Sequence, residues 1–389
     1  MTQPFQEKRL GDVCKTGSGG TPLKAHKDYY EDGTIPWLVS GEVSQGEIHQ
    51  AKHFITPKGL ANSSAKLFPK DTVLIAMYGA TAGEVGILRF EASTNQAICG
   101  IHPNPNMLPE FLFYFFLHKK AELIAQATGN AQPNISQIKI KNTLIPIHPL
   151  PEQKRIVATL DQAFTTIDQA KANVERNLQN AKDLFQSQLN QIFSKEGGGW
   201  VEITLGDLGK VSMCKRIMKH QTSPAGDIPF YKIGTFGETP NAFIDSDTYQ
   251  EFKQKYSFPK KGAILISASG TIGRRVIYDG EPAYFQDSNI VWIDNNEELV
   301  LNEYLYQFYG VCDWNPSKGA TISRLYNDDL RRIRISFPNI DEQMELVGIM
   351  KKLNEKTQSL IHQYQHQLNN LFEMKNSILQ KAFNGELSD

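Results

Sequence analysis

Hydroxyl, amide and cationic side chains gather in this sequence at short, glycine-bearing segments. Such groups donate to phosphate oxygens and to the edges of bases. Lys15-Thr16-Gly17-Ser18-Gly19-Gly20-Thr21 offers Lys15, Thr16, Ser18 and Thr21, with glycines that permit a close backbone approach. Tyr78-Gly79-Ala80-Thr81-Ala82-Gly83 offers Tyr78 and Thr81; Ser269-Gly270-Thr271-Ile272-Gly273-Arg274-Arg275 offers Ser269, Thr271, Arg274 and Arg275. Amides stand at Asn95-Gln96 and at Gln286, beside Asp287. Two later segments add Asn134 and Ser136, then Lys318, Thr321, Ser323 and Arg324, while Lys215, Arg216 and Lys219 form a basic patch expected to face phosphates. Each has a plain alternative: a surface turn, a tight turn that needs its glycines, or solvated charge.

Chemistry of other kinds finds no footing. There is no Asn-Pro-Pro-Tyr adenine-methylation motif and no Walker A sequence; Gly17 to Lys24 has glycines and a lysine in the wrong order for a phosphate loop. Glu373-Met374-Lys375 is an isolated acid-x-lysine on a helical face, and the nine histidines form no HExxH or ligand cluster. No catalytic and no metal-ligating residue is assigned.

The elements that must position these loops follow from composition and repetition. At 389 residues the chain is two or three domains. Hydrophobic residues and glycine together make up about 47%, an ordinary globular value that excludes disorder. Forty-one Lys+Arg against 42 Asp+Glu leave a net charge of −1, so any polyanion-binding surface is local. One such surplus lies between 204 and 280, with eleven basic residues against seven acidic. Four scattered cysteines (Cys14, Cys99, Cys214, Cys312) fit a reducing compartment better than a disulfide framework. Met1 to Lys8 has no apolar signal core, and the longest apolar run, Phe111 to Leu117, is too short for a membrane span. That run is expected to be core packing. A cytoplasmic, non-membrane protein is expected.

The chain repeats itself. Leu10-Gly11-Asp12 returns as Leu205-Gly206-Asp207, Ile35-Pro36-Trp37 as Ile228-Pro229-Phe230, and Val73–Gly83 as Ala263–Gly273. Phe111–Phe115 returns as Tyr304–Phe308, Ile135-Ser136 as Ile322-Ser323, and Pro151-Glu152-Gln153 as Asp341-Glu342-Gln343. All fall in order at offsets of about 187 to 195. Each copy opens with a mixture of short β-type runs and turns, an α/β or α+β globule whose strand order cannot be read. A long helical stretch follows. Apolar residues at Ile156, Leu160, Ala163, Ile167, Ala170, Val174, Leu178, Ala181, Phe185 and Ile192, with a polar defect at Gln188, mark one heptad seam. Val347, Met350, Leu353, Thr357, Leu360, Tyr364, Leu368, Leu371, Met374 and Ile378 mark the other.

Each rod is the other's natural partner. Antiparallel pairing relates the copies by a pseudo-twofold axis; parallel pairing would require the second globule to reach back along the rod. Two similar globules on a stiff bar form a caliper, and duplex DNA, whose groove faces recur about every 34 Å, is a polymer that a caliper measures. A scaffold for two protein partners would look the same.

Leu150-Pro151-Glu152-Gln153-Lys154-Arg155-Ile156-Val157 and Ser377–Leu387 resemble the conserved helical regions of specificity subunits of type I restriction-modification systems. Gly199–Asp207 resembles that family's entry into its second target-recognition domain. The resemblance spans essentially the whole chain. It implies two α/β (α+β) globular target-recognition domains separated by two long antiparallel coiled-coil helices, with an internal pseudo-twofold repeat. The corresponding boundaries are target-recognition domain 1 at 1–150, a conserved spacer helix at 151–196, target-recognition domain 2 at 197–340 and a second spacer helix at 341–389. It further implies a non-catalytic subunit that reads a bipartite, asymmetric site in double-stranded DNA through the loop residues named above. Its partners would be two modification (methyltransferase) subunits, with restriction (translocase/endonuclease) subunits joining. No cofactor belongs to such a chain; the family's partner subunits use S-adenosylmethionine, ATP and Mg2+. The alternatives are the specificity chain of another multi-subunit restriction system, or a two-headed adaptor that binds proteins or glycans.

Overall fold

The computed structural model describes residues 6–127, 134–195, 197–315, 317–318 and 323–386. The chain forms two compact units, Met1–Val174 with His366–Asp389, and Glu175–Gln365. Each unit is therefore a globule with half of both long helices.

In the first globule β1 (Glu7–Arg9) leads into α1 (Leu10–Val13), and then come β2 (Thr16–Ser18), β3 (Ile35–Leu38), β4 (Glu47–Ile48) and β5 (His53–Ile55). After α2 (Pro57–Ala61) follow β6 (Leu67–Phe68), β7 (Thr72–Ala76), β8 (Val85–Leu88), β9 (Ala92–Thr94) and β10 (Ile98–Ile101). Two helices, α3 (Pro109–Ala125) and α4 (Gln137–Asn142), precede β11 (Leu144–Pro146) and the 44-residue α5 (Leu150–Phe193). One sheet has the order β2-β10-β7-β8-β4, a second β5-β3-β9-β6, and β1 pairs with β11. The Thr-Val-Leu-Ile-Ala run of β7 is buried throughout, as a β-branched central strand should be. Phe111, Leu112, Tyr114, Phe115 and Phe116 of α3 are buried, so the aromatic run is core.

The second globule repeats this plan. It contains β12 (Val201–Thr204), α6 (Leu205–Leu208), β13 (Val211–Ser212), β14 (Ile228–Tyr231), β15 (Phe243–Ile244) and α7 (Ser246–Lys255). Next come β16 (Ile264–Ser267), β17 (Arg275–Ile277), β18 (Tyr284–Phe285), β19 (Ile290–Ile293) and α8 (Asn302–Phe308). A short pair, β20 (Ser317–Lys318) and β21 (Ser323–Arg324), precedes α9 (Asn327–Arg332), β22 (Arg334–Phe337) and α10 (Ile340–Phe383). The order β13-β19-β16-β17 reproduces β2-β10-β7-β8, and β15-β14-β18 reproduces β5-β3-β9. The parallel pairing of β3 with β9 recurs as β14 with β18. Repeated landmarks occupy equivalent places: Leu10 and Leu205 are both fully buried. Their amides donate to Thr143 O at 2.9 Å and Ile333 O at 2.8 Å.

Gln153 and Gln343, each the last residue of its repeated triplet, are both fully buried. Gln153 Oε1 accepts the Leu108 amide at 2.8 Å, and its Nε2 donates to the carbonyls of Asn106 and His148, each at 2.8 Å. Gln343 Oε1 accepts the Leu301 amide at 2.9 Å; its Nε2 donates to Leu299 O at 2.8 Å and Pro338 O at 2.9 Å. Leu108 and Leu301 are the N-caps of α3 and α8, so each glutamine ties the root of a long helix to the start of a globule helix. Gln153→Leu or Gln343→Leu would take away the side-chain partner of three backbone groups, one of them in a buried bond. Each is expected to cost about 3 kcal/mol in chemical denaturation; a loss below about 0.5 kcal/mol would contradict this role.

The stripes of the long helices differ from the sequence expectation at three points. Leu189, 1% exposed, fills the place given to Gln188, so the seam has no polar defect there. In α10 Leu360 and Met374 are 41% and 49% exposed, while Ile361 and Lys375 are the half-buried residues. The ten seam steps from Ile156 to Ile192 span 36 residues, 3.6 per step, which is the period of a straight helix rather than a strict heptad. Within the first unit the pairing is antiparallel. Ile156 and Leu160 of α5 share a core with Leu379 and Ala382 of α10, and Lys375 Nζ donates to Asp168 at 2.5 Å, 4.8 Å from the centre of the Phe164 ring. Lys375 is thus packed and paired rather than simply solvated. In the second unit the end of α5 (Leu189) and the start of α10 (Val347, Met350) share one core.

Burial of two histidines predicts a pH response in the first unit. His118 stacks on Phe383 with centroids 5.5 Å apart, and His148 meets Phe111 edge-on at 5.5 Å. Loss of solvation pulls both imidazoles below their usual pKa; at His148 the neighbouring Glu152 only partly opposes this. Above about pH 6.5 both folded and unfolded forms are neutral, and stability is complete. As pH falls through that value the unfolded chain takes up protons first, so stability declines until the folded imidazoles also protonate. Melting temperature should fall between pH 7.5 and pH 5, and hydrogen exchange should locate the loss in the first unit. A flat profile would contradict the assignment.

Candidate nucleic-acid interface

Three loops converge in each globule, held by the same backbone bonds. In the first, the Met77 amide donates to Ala97 O and the Ile135 amide to Met77 O, both at 2.7 Å. In the second, Ala268 N donates to Asn289 O at 2.7 Å and Leu325 N to Ala268 O at 2.9 Å. The loop entering β10 is pinned by Asn95 N to Leu38 O at 2.8 Å, and its counterpart by Gln286 N to Tyr231 O at 2.9 Å. Single bridges join Tyr78 with Asn134 and Ser269 with Arg324. These bonds correct the repeat register: Ile135-Ser136 corresponds to Leu325-Tyr326, not to Ile322-Ser323.

The fourth segment of each cluster is also equivalent. Lys15 O accepts the His102 amide and Lys210 O the Asp294 amide, each at 2.9 Å. Gly20 O accepts Trp37 Nε1 at 3.0 Å, and Lys215 O accepts the Tyr284 hydroxyl at 3.1 Å. These last two bonds come from different strands, β3 and β18; it is the strand register, with Gly17 across from Gly100 and Ser212 across from Trp292, that puts Thr21 and Arg216 at the same count along the chain.

In the first globule Thr21 Oγ1 donates to Gln96 Oε1, and Tyr78 lies within reach of Gln96, with its hydroxyl pKa raised by burial. Asn95 Oδ1 accepts the Ala97 amide at 3.1 Å, so it braces the loop. Ser18 donates to Gln137 Oε1 at 2.9 Å, and Gln137 Nε2 donates to Thr16 Oγ1 at 3.0 Å. Gln137, which sequence reasoning missed, thus cross-links two predicted hydroxyls. Lys15 and Asn134 are exposed. Ser136 caps α4 by accepting the Lys139 amide.

Gly19 and Gly20 are required by the protein's own packing. A Cβ at Gly19 would lie 2.1–2.5 Å from Thr94 and Asn95, and one at Gly20 2.3–2.4 Å from Ser64 and Ala65. Thr81 sits in the β7–β8 turn, whose Gly79 and Gly83 have φ of 85° and 81°.

In the second globule an open cleft of about 330 Å³ is lined by Arg216, Lys219, Gln286 and Asp287. Thr222, Lys232 and Asn289 also line it, and none was predicted. Lys232 lies just past a strand and has no charged neighbours in sequence, so only the fold reveals it. Ser269 Oγ donates to Asn289 Oδ1 at 2.7 Å; Arg324 donates to Ser288 O at 3.2 Å, with its guanidinium 5.9 Å from the Tyr326 ring centre. Lys215 is exposed, with its ammonium 5.1 Å from the Tyr256 ring.

Two predicted arginines are engaged inside the globule. Arg274 donates to Phe236 O at 2.7 Å and pairs with Glu238 at 3.4 Å. Arg275 lies over Tyr306 at 4.5 Å, where Gly310 leaves room for its guanidinium. Thr271 is exposed at the β16–β17 turn, and its carbonyl accepts Ser267 Oγ at 2.6 Å. Lys318 and Ser323 lie opposite each other on β20 and β21; Thr321 lies outside the described residues.

One fold is thus built twice, with the same loop frame carrying different polar side chains. The chain belongs to the type I restriction modification DNA specificity domain family, whose model matches residues 2–177 and again 197–370. It is thus a type I specificity subunit with two target-recognition domains. A Haemophilus influenzae protein provisionally named type I restriction enzyme specificity subunit S.HindORF215P is 47% identical over 255 residues, 64% of this chain and 65% of its own length. The Escherichia coli EcoR124I/EcoR124II specificity subunit is 24% identical over 48% of each chain. The chain thus spans less than two thirds of both relatives. The MjaIX specificity subunit of Methanocaldococcus jannaschii is 25% identical over 100% of this chain and 94% of its own. A chain from a structure describing assembly and conformational transition of a type I R-M system shares the fold at TM-score 0.80, with 21% identity and full coverage of both chains. The HsdS subunit of Thermoanaerobacter tengcongensis matches at TM-score 0.56, with 20% identity over 100% of this chain and 98% of its own.

Proposed function

We propose that this chain is the non-catalytic, sequence-reading subunit of a type I restriction-modification enzyme. Each globule meets one half of a bipartite, asymmetric site in double-stranded DNA through its loop cluster. The two long helices set the gap between the halves and dock two methyltransferase subunits, and restriction subunits join the larger complex. S-adenosylmethionine, ATP and Mg2+ serve those partners, and the chain itself uses no cofactor. It works in the cytoplasm; none of the described helices is long and apolar enough to cross a membrane.

One observation carries this reading: the two loop frames share their backbone bonds while Tyr78, Gln96 and Asn134 on one stand opposite Ser269, Asp287 and Arg324 on the other. A pair of heads that must read different short sequences needs that combination of fixed frame and varied donors.

The test is duplex binding by the complex with methyltransferase subunits across a salt titration. Affinity should fall linearly in log–log form. Lys219→Ala and Lys232→Ala should each lower the slope by about one and weaken all sequences alike. A salt-independent affinity would sink the reading.

A further inference from the structure

Resting on that reading, we propose that Arg216, oriented by Asp287, reads a guanine in the half-site met by the second globule. Arg216 Nε donates to Asp287 Oδ2 at 2.8 Å, while the arginine side chain stays 66% exposed at the cleft and the carboxylate only 17%. This bond holds the guanidinium plane. It leaves the Nη1/Nη2 edge without a hydrogen-bond partner among the described residues.

The backbone that carries this carboxylate is fixed by a tight turn. Gln286 Oε1 accepts the Ile233 amide at 2.8 Å, the Asn289 amide donates to Asp287 O at 2.6 Å, and Ser288 takes φ of 53°.

The pairing distinguishes between the two things an arginine can grip. A phosphate placed against Arg216 would also meet the Asp287 carboxylate and be repelled. A guanine presents two acceptors, O6 and N7, to the paired Nη donors, and its cytosine partner presents the N4 amino group to a nearby carboxylate. The first globule has its own pair at the matching positions: Thr21 donates to Gln96, a hydroxyl and amide in place of a cation and carboxylate. The same two sites thus carry different readers in the two heads. Lys219 and Lys232 remain for phosphates along the cleft.

The experiment co-expresses the full chain with its methyltransferase subunits and maps methylated sites across a genome. Arg216→Ala should make one guanine position in the second globule's half-site degenerate, its preference falling about 10- to 100-fold while the other positions hold. Arg216→Lys, which keeps the charge but lacks the two-pronged edge, should relax the same position. Asp287→Asn should relax it less.

Uniformly weaker methylation with Arg216→Ala, restored by Arg216→Lys, would make the residue a phosphate contact and overturn the assignment. Unchanged specificity would overturn it too. If the unmodified chain directs no bipartite methylation, the proposed function falls, and this assignment with it.

Discussion

Four residues inserted into α5 between Val174 and Leu178 should widen the gap between methylated half-sites by one or two base pairs. Each helical residue rises 1.5 Å, so the insertion adds about 6 Å, against about 3.4 Å per base pair. Four residues also turn about 400°, so the apolar stripe resumes within about 40° of its former direction and both flanking segments can still bury it. Two residues would turn it about 200° and point half the stripe into solvent; that variant should lose assembly rather than shift the gap. Mapping the methylated sequence decides between these outcomes. A four-residue variant that methylates the original sequence would show that α5 does not set the gap.

Much of this plan was legible in the sequence, because repetition is read by comparison rather than by propensity. Leu10 and Leu205, or the triplets ending at Gln153 and Gln343, announced two copies without revealing what they do. That both glutamines satisfy three backbone groups follows only from seeing Leu108 and Leu301 brought to them. The seam errors at Gln188, Leu360 and Met374 have one cause. At each, a strict 3–4 count and the true 3.6-residue period choose different adjacent residues.

Strand order was illegible for a different reason. Many strands are only two to five residues long, and β3 finds its parallel partner β9 far along the chain through contacts that no local pattern encodes. The loops were legible by composition, but their connections were not. Thr21 and Gln96 are 75 residues apart, and Arg216 and Asp287 are 71 apart. Charge in the sequence also does not reveal intramolecular partners: the Arg275 guanidinium lies 4.5 Å from the Tyr306 ring centre.

Exchange of residues 197–340 for the same span of a related chain should have a similarly complete effect, confined to one side. That span carries the second loop cluster with Arg216, Asp287, Asn289 and Arg324, while the first globule, α5 and all of α10 after its first residue stay as they are. With the methyltransferase subunits supplied, the methylated sequences of a host expressing the original and the exchanged chains can be compared directly. Two heads reading separately predict that one half of the motif is replaced, with the other half and the gap retained. A motif altered in both halves, or in neither, would contradict the assignment of one globule to each half-site.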